Sequence, residues 1–488
     1  MTKSPPKSTI KIKPSVVTPA GNSFTYFLPK SSSSQTVHVK TAGKNGVLEY
    51  RKPHSFIKAN FNKVNKLKIH VTGSLPPQRI LRGVDIICAA LEGGYGRHNL
   101  WTSGLAMKPA EASDLARYLL SRLALVTSCL LRNANHALTI KPVYAHVETS
   151  EKAALSFIIG GIGSYIAAQN WLRTGGDRLD LFLHAGIYTK AVNGIGPLVN
   201  YSSTSKKSPD YLVYSEKKDW HVFESKGGSI DDRWLRIVQG LAQLANLPPI
   251  FWVGDSPKDV KTAVCVHTSV DANKALQITI VDPPSKNDEE KESASIGLIE
   301  NVCKLLLVLE AIDQFRGLID NSRIRHAQFG SLTWMLGDSV VFEELVVGLP
   351  NRYFDNELRI RRAIGIYLAA AEVYSGSENV NEFVEKFREK LIAMRRLSGD
   401  ISSVRVGWLI SSYVSRIREF FDKPNFLLKT SLLLRMERIS ESLIISNEEK
   451  SMIPSRPTRA TLFTSGGMLI SQRIPPDAPK EDVSYSNR

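Results

Sequence analysis

One stretch, residues 209–226, constrains the fold most strongly, because its pattern predicts two short strands joined by a polar loop. The segments 210–214 and 220–226 are rich in aromatic and β-branched residues. The five polar residues between them suit a β-hairpin connection. The sequence therefore predicts an antiparallel strand pair in this region.

Three charged side chains fall on one face of the predicted hairpin. Pairing Tyr214 with Trp220 places Asp210 opposite Glu224. Because side chains alternate along a strand, Lys226 shares the face of these two acids. Carboxylates directly across a strand pair have Cβ atoms about 5 Å apart and repel each other. A fold keeps such a pair where a positive group lies between them, and the two candidates are the Lys226 ammonium and a divalent cation.

The spacing of these residues resembles that of the PD-(D/E)xK nuclease superfamily, which has the restriction-endonuclease-like fold. The matching residues are Pro209-Asp210 and, further along the chain, Glu224-Ser225-Lys226. The resemblance implies that Asp210, Glu224 and the backbone carbonyl of Ser225 bind Mg²⁺, for which Mn²⁺ would substitute. It also implies that Lys226 orients or activates the attacking water. Mg²⁺ prefers oxygen ligands, acidifies bound water and neutralises charge on the phosphate.

The acid-x-Lys triplet alone is a weak signal, because the chain contains further examples. These are Glu216–Lys218, Asp259–Lys261, Glu289–Lys291 and Glu448–Lys450. The triplet Glu224–Lys226 differs from them because it ends an apolar strand and follows a Pro-Asp pair at hairpin distance. The alternative interpretation is a solvated hairpin in which Lys226 pairs with a nearby acid.

A helix is predicted directly after the hairpin, from the capping pair Ser229 and Asp232 to about Asn246. In some members of the superfamily this helix carries a Gln-x-x-x-Tyr motif that reaches the active site. In this chain Gln239 matches the glutamine, but Gln243 stands where the motif has tyrosine. The resemblance makes Gln239 a candidate catalytic residue, and a solvated position on the helix surface is the alternative.

The resemblance covers residues 150–285 and implies an α/β fold, a mixed-sheet restriction-endonuclease-like core flanked by helices. Residues 153–172 lack charge, but their glycines and polar side chains favour a buried helix over a membrane span. Residues 180–184 are predicted to form the first strand of the core. Further strands are predicted at 250–253, 262–268 and 276–281.

The net charge of +16 is concentrated at the beginning of the chain. Residues 1–80 contain fourteen Lys or Arg and one acid, so +13 of the +16 lies there. A basic block of this kind is the electrostatic signature of proteins that bind a phosphate backbone. We predict a basic N-terminal region over residues 1–148. Within it, residues 1–80 are predicted to form a partly ordered basic arm or small β element that contacts nucleic acid, and a solubilising or disordered tail is the alternative.

A C-terminal all-helical domain is predicted over residues 294–445, after an acidic linker at 283–293. An extended or disordered tail is predicted over residues 446–488. The predicted helices are 296–319, 358–374, 379–397, 403–421 and 427–445. This domain would clamp nucleic acid, bind a partner protein or form a homodimer, and a packing role without substrate contact is the alternative.

Together these features predict a Mg²⁺-dependent nuclease that hydrolyses phosphodiester bonds of nucleic acid, with DNA favoured over RNA. The superfamily's distribution implies restriction or antiviral defence in bacteria as the setting. The alternative is a catalytically inactive nuclease-like protein that binds nucleic acid or serves assembly. The four scattered cysteines predict neither disulfides nor a zinc framework. A polar N-terminus without a signal-like apolar segment predicts a cytoplasmic protein with no membrane partner.

Overall fold

The computed structural model describes most of the predicted core together with parts of the two flanking regions. The described residues are 23–29, 35–36, 38–42, 47–52, 56–60, 63–71, 83–93, 109–128, 130–132, 138–188, 199–201, 209–244, 250–252, 260–272, 274, 276–281, 297–320, 324–342, 345–398, 431–453 and 461–472. Their α-helices are α1 Gly83–Glu92, α2 Pro109–Ser128, α3 Thr149–Thr174, α4 Ala185–Tyr188, α5 Arg233–Leu244, α6 Gly297–Leu318, α7 Asn351–Ser375, α8 Val380–Ser398, α9 Ser431–Leu443 and α10 Asn447–Ser451. A 3₁₀ helix spans Pro142–His146.

Most of the strands belong to two sheets. The strands are β1 Ser23–Pro29, β2 Gln35–Thr36, β3 His38–Ala42, β4 Val47–Lys52, β5 Phe56–Asn60, β6 Lys63–Val71, β7 Leu130–Arg132, β8 Leu138–Ile140, β9 Leu179–His184, β10 Val199–Tyr201, β11 Tyr211–Ser215, β12 Trp220–Gly228, β13 Ile250–Trp252, β14 Thr262–Ser269, β15 Gln277–Val281, β16 Arg325–Phe329, β17 Leu332–Asp338, β18 Leu345–Pro350, β19 Thr461–Phe463 and β20 Leu469–Gln472. The larger, mixed sheet has the order β2-β6-β1-β15-β14-β12-β11-β9, with β5 paired to β6.

The predicted hairpin forms with the predicted register. In β11 and β12, Tyr214 pairs with Trp220 and Tyr211 pairs with Phe223. Strand β9 pairs antiparallel with β11 on the far side. Strand β14 pairs in parallel with β12, and helix α5 lies between these two strands in the sequence. The chain is therefore a mixed α/β protein with helices against a mixed sheet, as predicted.

Helix α3 covers one face of this sheet, which confirms the buried helix predicted from residues 153–172. Its residues from Ile158 to Ala168 are all buried. Glycines let the helix approach the sheet closely: a Cβ on Gly160 would lie 3.2 Å from Ser225 Oγ, and a Cβ on Gly227 would lie 2.0 Å from the Ser156 carbonyl oxygen. Among the described residues, no helix has the length and apolarity needed to cross a membrane.

The basic N-terminal region is joined to the predicted core rather than separate from it. Strand β1 pairs in parallel with β15, with Ser23 opposite Gln277. Helix α2 packs against α6 in the C-terminal region, where a Cβ on Gly317 would lie 2.9 Å from the Arg117 backbone nitrogen. The sheet therefore contains strands from both sides of the predicted boundary at residue 148. A strand that is distant in sequence can complete a sheet, because strand pairing depends on backbone hydrogen bonds.

The prediction of an all-helical C-terminal domain is wrong. Helices α6, α7, α8 and α9 form where helices were predicted, but β16, β17 and β18 lie between α6 and α7. They form an antiparallel sheet of order β16-β17-β18-β20-β19. The last two strands come from residues assigned to the extended tail, and they are ordered because Leu345 pairs with Gln472 and Leu462 with Ile470.

Several predicted features lie outside the described residues or take another place in the fold. The acidic linker at 283–293 and the helix at 403–421 are outside the described part of the chain. The predicted strand at 250–253 forms as β13, but it pairs with β10 in a separate two-stranded sheet. The predicted strands at 262–268 and 276–281 form as β14 and β15.

We predict that Gly227→Ala destabilises the protein, because the new methyl group would meet the backbone of helix α3 at Ser156. Overpacking of this kind lowers the free energy of unfolding by about 1–3 kcal/mol or more. Gly376→Ala is the matched control, since its Cβ would meet nothing closer than 3.9 Å. Urea denaturation measures both variants, and equal stability of the two would contradict the close packing.

Candidate active site

The three charged residues singled out in the hairpin meet between strand β12 and helix α5. Glu224 and Lys226 lie two residues apart on β12 and therefore face the same side of the sheet. Gly240 of α5 lies directly over them: a Cβ there would be 3.2 Å from Glu224 Cγ and 3.4 Å from Lys226 Cε. The absence of a side chain at Gly240 allows the helix to cover the charged groups closely.

A small hydrogen-bond network connects the site residues. The Lys226 ammonium donates to Oε1 of Glu224, and it donates to Oε1 of Gln243 at 2.7 Å. The backbone N–H of Ser225 donates to Oδ2 of Asp210 at 2.8 Å. These bonds hold the two carboxylates and the ammonium together at the ends of adjacent strands.

Burial makes negative charge costly at this site. The Glu224 side chain is only 1% exposed, and among the described residues its Oε2 has no hydrogen-bond partner. Burial and the nearby Asp210 carboxylate raise the pKa of Glu224 to about 7, although the Lys226 ammonium opposes the shift. Burial likewise raises the pKa of Asp210, against the opposing effects of Lys226 and the Ser225 N–H. Both acids would be stabilised by additional positive charge.

The same two acids stabilise the charged form of Lys226. Burial by itself would lower the pKa of this ammonium, but the carboxylates of Glu224 and Asp210 outweigh burial and hold the pKa above its ordinary value. One ammonium therefore faces two carboxylates. The ionised trio carries a net charge of −1.

Two neighbours on strand β14 do not supply the missing positive charge. Cys265 pairs in register with Glu224, and His267 pairs with Lys226. Burial raises the pKa of the Cys265 thiol, which stays neutral. Burial, together with the nearby Arg233 and Arg236, lowers the pKa of His267 to about 3, so the imidazole also stays neutral at physiological pH. Sequence reasoning assigned neither residue to the site, because their register with β12 depends on a parallel pairing.

The structure brings together the predicted residues Asp210, Glu224, Ser225 and Lys226. It places a different glutamine from the predicted one against the site: Gln243 contacts Lys226, whereas the candidate Gln239 lies one turn earlier, half-buried on α5. The two glutamines lie four residues apart on one face of a helix, so the sequence could indicate both. The position at which helix α5 packs over β12 determines that Gln243, and not Gln239, contacts Lys226.

We predict that Glu224→Gln changes how stability depends on pH. The folded protein retains the Glu224 proton to about pH 7, whereas an unfolded glutamate has its pKa near the ordinary value of 4.5. Between these values the unfolded chain binds fewer protons, so wild-type stability falls as pH rises, and this contribution is absent from the variant. As the pH rises from 4.5 to 7, the free energy of unfolding of the variant should increase relative to that of wild type by on the order of 1–3 kcal/mol.

Urea denaturation of both proteins at several pH values measures this difference. Glu216→Gln, in the exposed turn of the same hairpin, is the matched control and should track wild type. A difference between wild type and Glu224→Gln that stays constant from about pH 4.5 to about pH 8 would contradict a raised pKa.

Comparisons of the chain with models of known protein families, with curated proteins and with solved structures gave no significant match.

Proposed function

We propose that the protein is a metal-dependent nuclease whose active site contains Asp210, Glu224 and Lys226. The observation that carries this proposal is a charge imbalance among the described residues: the buried Glu224 and the half-buried Asp210, both with raised pKa values, share one ammonium. A structural ion pair alone would need only one of the two acids. A second, half-buried acid beside the first is costly to retain in its ionised form unless a further cation neutralises it.

The donor groups fit Mg²⁺. The buried Oε2 of Glu224, with no hydrogen-bond partner among the described residues, is an oxygen of the type that Mg²⁺ prefers. Asp210 and Glu224, with the backbone carbonyl of Ser225, would hold the ion, and Mn²⁺ would substitute for it. When bound, the ion would acidify water and neutralise charge on the phosphate.

Lys226 is best suited to orient water and to stabilise negative charge. Its pKa is raised by the two carboxylates, so the side chain remains an ammonium at neutral pH and is a poor proton acceptor. Gln243 accepts a hydrogen bond from this ammonium at 2.7 Å and thereby fixes its direction. We therefore assign Gln243, in place of Gln239, the role of positioning Lys226.

The order of elements also supports the proposal. Along the chain the elements of this sheet region come in the order α3, the antiparallel strands β9, β11 and β12, helix α5 and the parallel strand β14, with the short elements α4, β10 and β13 between them. This order of helix, strands, helix and strand in a mixed sheet is what the resemblance to the PD-(D/E)xK superfamily implies. The proposed substrate is nucleic acid, with DNA favoured, and restriction or antiviral defence is the proposed setting.

Asp210→Asn tests the site directly. The substitution removes one carboxylate ligand, so we expect it to eliminate the Mg²⁺-dependent rise in melting temperature. It should also reduce Mg²⁺-dependent cleavage of DNA by about 100-fold or more, because the ion contributes several kcal/mol to stabilising the charge on the phosphate. Glu216→Gln is the matched control, since Glu216 belongs to an exposed acid-x-Lys triplet in the same hairpin.

Lys226→Ala separates metal binding from catalysis in the same experiment. Mg²⁺ should still raise the melting temperature of this variant, and cleavage should fall. The metal-free protein should be less stable, because the buried Glu224 and the half-buried Asp210 would then lack the Lys226 counter-charge. If wild type shows neither a Mg²⁺-dependent melting shift nor cleavage, the nuclease proposal fails and the non-catalytic binding protein becomes the better account.

The basic N-terminal region supplies a prediction about nucleic-acid binding. Deleting residues 1–20 removes four lysines without touching strand β1, whose pairing with β15 argues against deleting residues 1–80. For every deleted lysine that neutralises a phosphate, the slope of log affinity against log salt should decrease by about 0.9 on duplex DNA. An unchanged slope in the folded, truncated protein would exclude these lysines from the binding surface.

A further inference from the structure

A second cluster of metal-ligating side chains lies at the turn end of the same hairpin. One carboxylate oxygen from each of Asp177 and Asp219 and one ring nitrogen of His221 all lie within 4.8 Å of one another. Asp177 follows helix α3, Asp219 belongs to the hairpin turn, and His221 lies in strand β12. Three separate segments therefore contribute to the cluster.

The two ring nitrogens of His221 differ in their hydrogen bonding. Its Nδ1 lies 2.8 Å from the Thr262 hydroxyl, which fixes the ring direction. Its Nε2 is buried and has no hydrogen-bond partner among the described residues, and the residue as a whole is only 3% exposed. A buried ring nitrogen without a partner is costly in a folded protein unless something else binds it. When Nδ1 carries the proton and donates it to Thr262, Nε2 presents a lone pair.

Both carboxylates could bind a metal ion after a modest rearrangement. Oδ1 of Asp177 accepts the backbone N–H groups of Arg178 at 2.7 Å and Lys217 at 3.3 Å, which hold the side chain in place. Asp219 forms an ion pair with Lys261, whose side chain is 57% exposed and can move into solvent. Ligand atoms about 2.0–2.2 Å from one ion are at most about 4.4 Å apart. Release of Lys261 and a small rotation of Asp219 would bring the three groups into range.

We propose that Asp177, Asp219 and His221 form a binding site for a divalent first-row transition metal such as Zn²⁺. Imidazole combined with carboxylates favours Zn²⁺ over Mg²⁺, which prefers oxygen ligands alone. The Thr262 hydroxyl acts as the outer partner that orients the histidine, as hydrogen-bonded groups do at known metal sites. The ion links the end of helix α3 to the hairpin turn and to β12.

This site is separate from the proposed nuclease site. His221 and Glu224 are three residues apart on β12, so their side chains project from opposite faces of the sheet. Asp219 lies in the turn, whereas Asp210 lies at the other end of β11. Substitutions at one site can therefore be tested without removing ligands from the other.

Titration of the untagged full chain with Zn²⁺ alone, followed by calorimetry, tests the proposal. Wild type should bind one equivalent of Zn²⁺ more than Asp219→Asn binds. Thr262→Val preserves a β-branched residue in β14 but removes the bond to Nδ1, and it should weaken this site about 10- to 100-fold. Lys261→Met removes the competing ammonium and should tighten Zn²⁺ binding by up to about fivefold.

Asp210→Asn is the control for independence, and it should retain this equivalent of Zn²⁺ whether or not the nuclease proposal holds. The same Zn²⁺ stoichiometry and affinity in wild type, Asp219→Asn and Thr262→Val would overturn the proposal, because the ion would then bind elsewhere. Absence of Zn²⁺ binding by folded wild-type protein would overturn it as well. In the Asp210→Asn variant, which lacks a ligand of the proposed nuclease site, binding of Mg²⁺ at the second site with the same affinity as Zn²⁺ would contradict the assigned class of metal.

Discussion

The close approach of helices to both faces of strand β12 is the constraint on which the two candidate sites depend. Helix α3 approaches one face where Gly160 meets Ser225 and where Gly227 meets the backbone at Ser156. Helix α5 approaches the other face at Gly240, against Glu224 and Lys226. Larger side chains at these glycines would hold the helices away and admit water. The glycines therefore create the burial that determines the electrostatics of the strand.

Burial makes the ionised form of a carboxylate energetically unfavourable. Taking a carboxylate out of water disfavours its ionised form, so the acids of the proposed nuclease site have raised pKa values although a lysine contacts one of them. The C-terminal region contains a different arrangement. There Arg316 and Arg361 bind Glu357, and Arg361 also binds Asp313, so two guanidinium groups face two acids. Among the described residues, charges balance in that network, as expected of a structural one, and do not balance around Glu224.

Strand β12 carries both candidate sites because its side chains alternate between two covered faces. Glu224 and Lys226 face α5, whereas His221 and Ser225 face the α3 side. Strand β12 is also a central strand, hydrogen-bonded to β11 on one edge and to β14 on the other. The other candidate ligands, Asp177, Asp210 and Asp219, lie outside the strands.

The sequence by itself determined the local features of this protein. The hairpin register, the buried helix α3 and helix α5 follow from alternation, apolar spacing and turn residues, all of which act over a few positions. Local patterns also placed Asp210, Glu224 and Lys226 on one face. The tertiary structure alone decided which distant segments meet: β1 joins β15, β20 joins β18, Gln243 reaches Lys226, and Asp177 approaches His221. Strand pairing across long separations depends on backbone hydrogen bonds that any sequence can make, and the depth of helix packing depends on the neighbouring side chains. A local sequence pattern therefore predicts neither the long-range strand pairing nor the depth of helix packing.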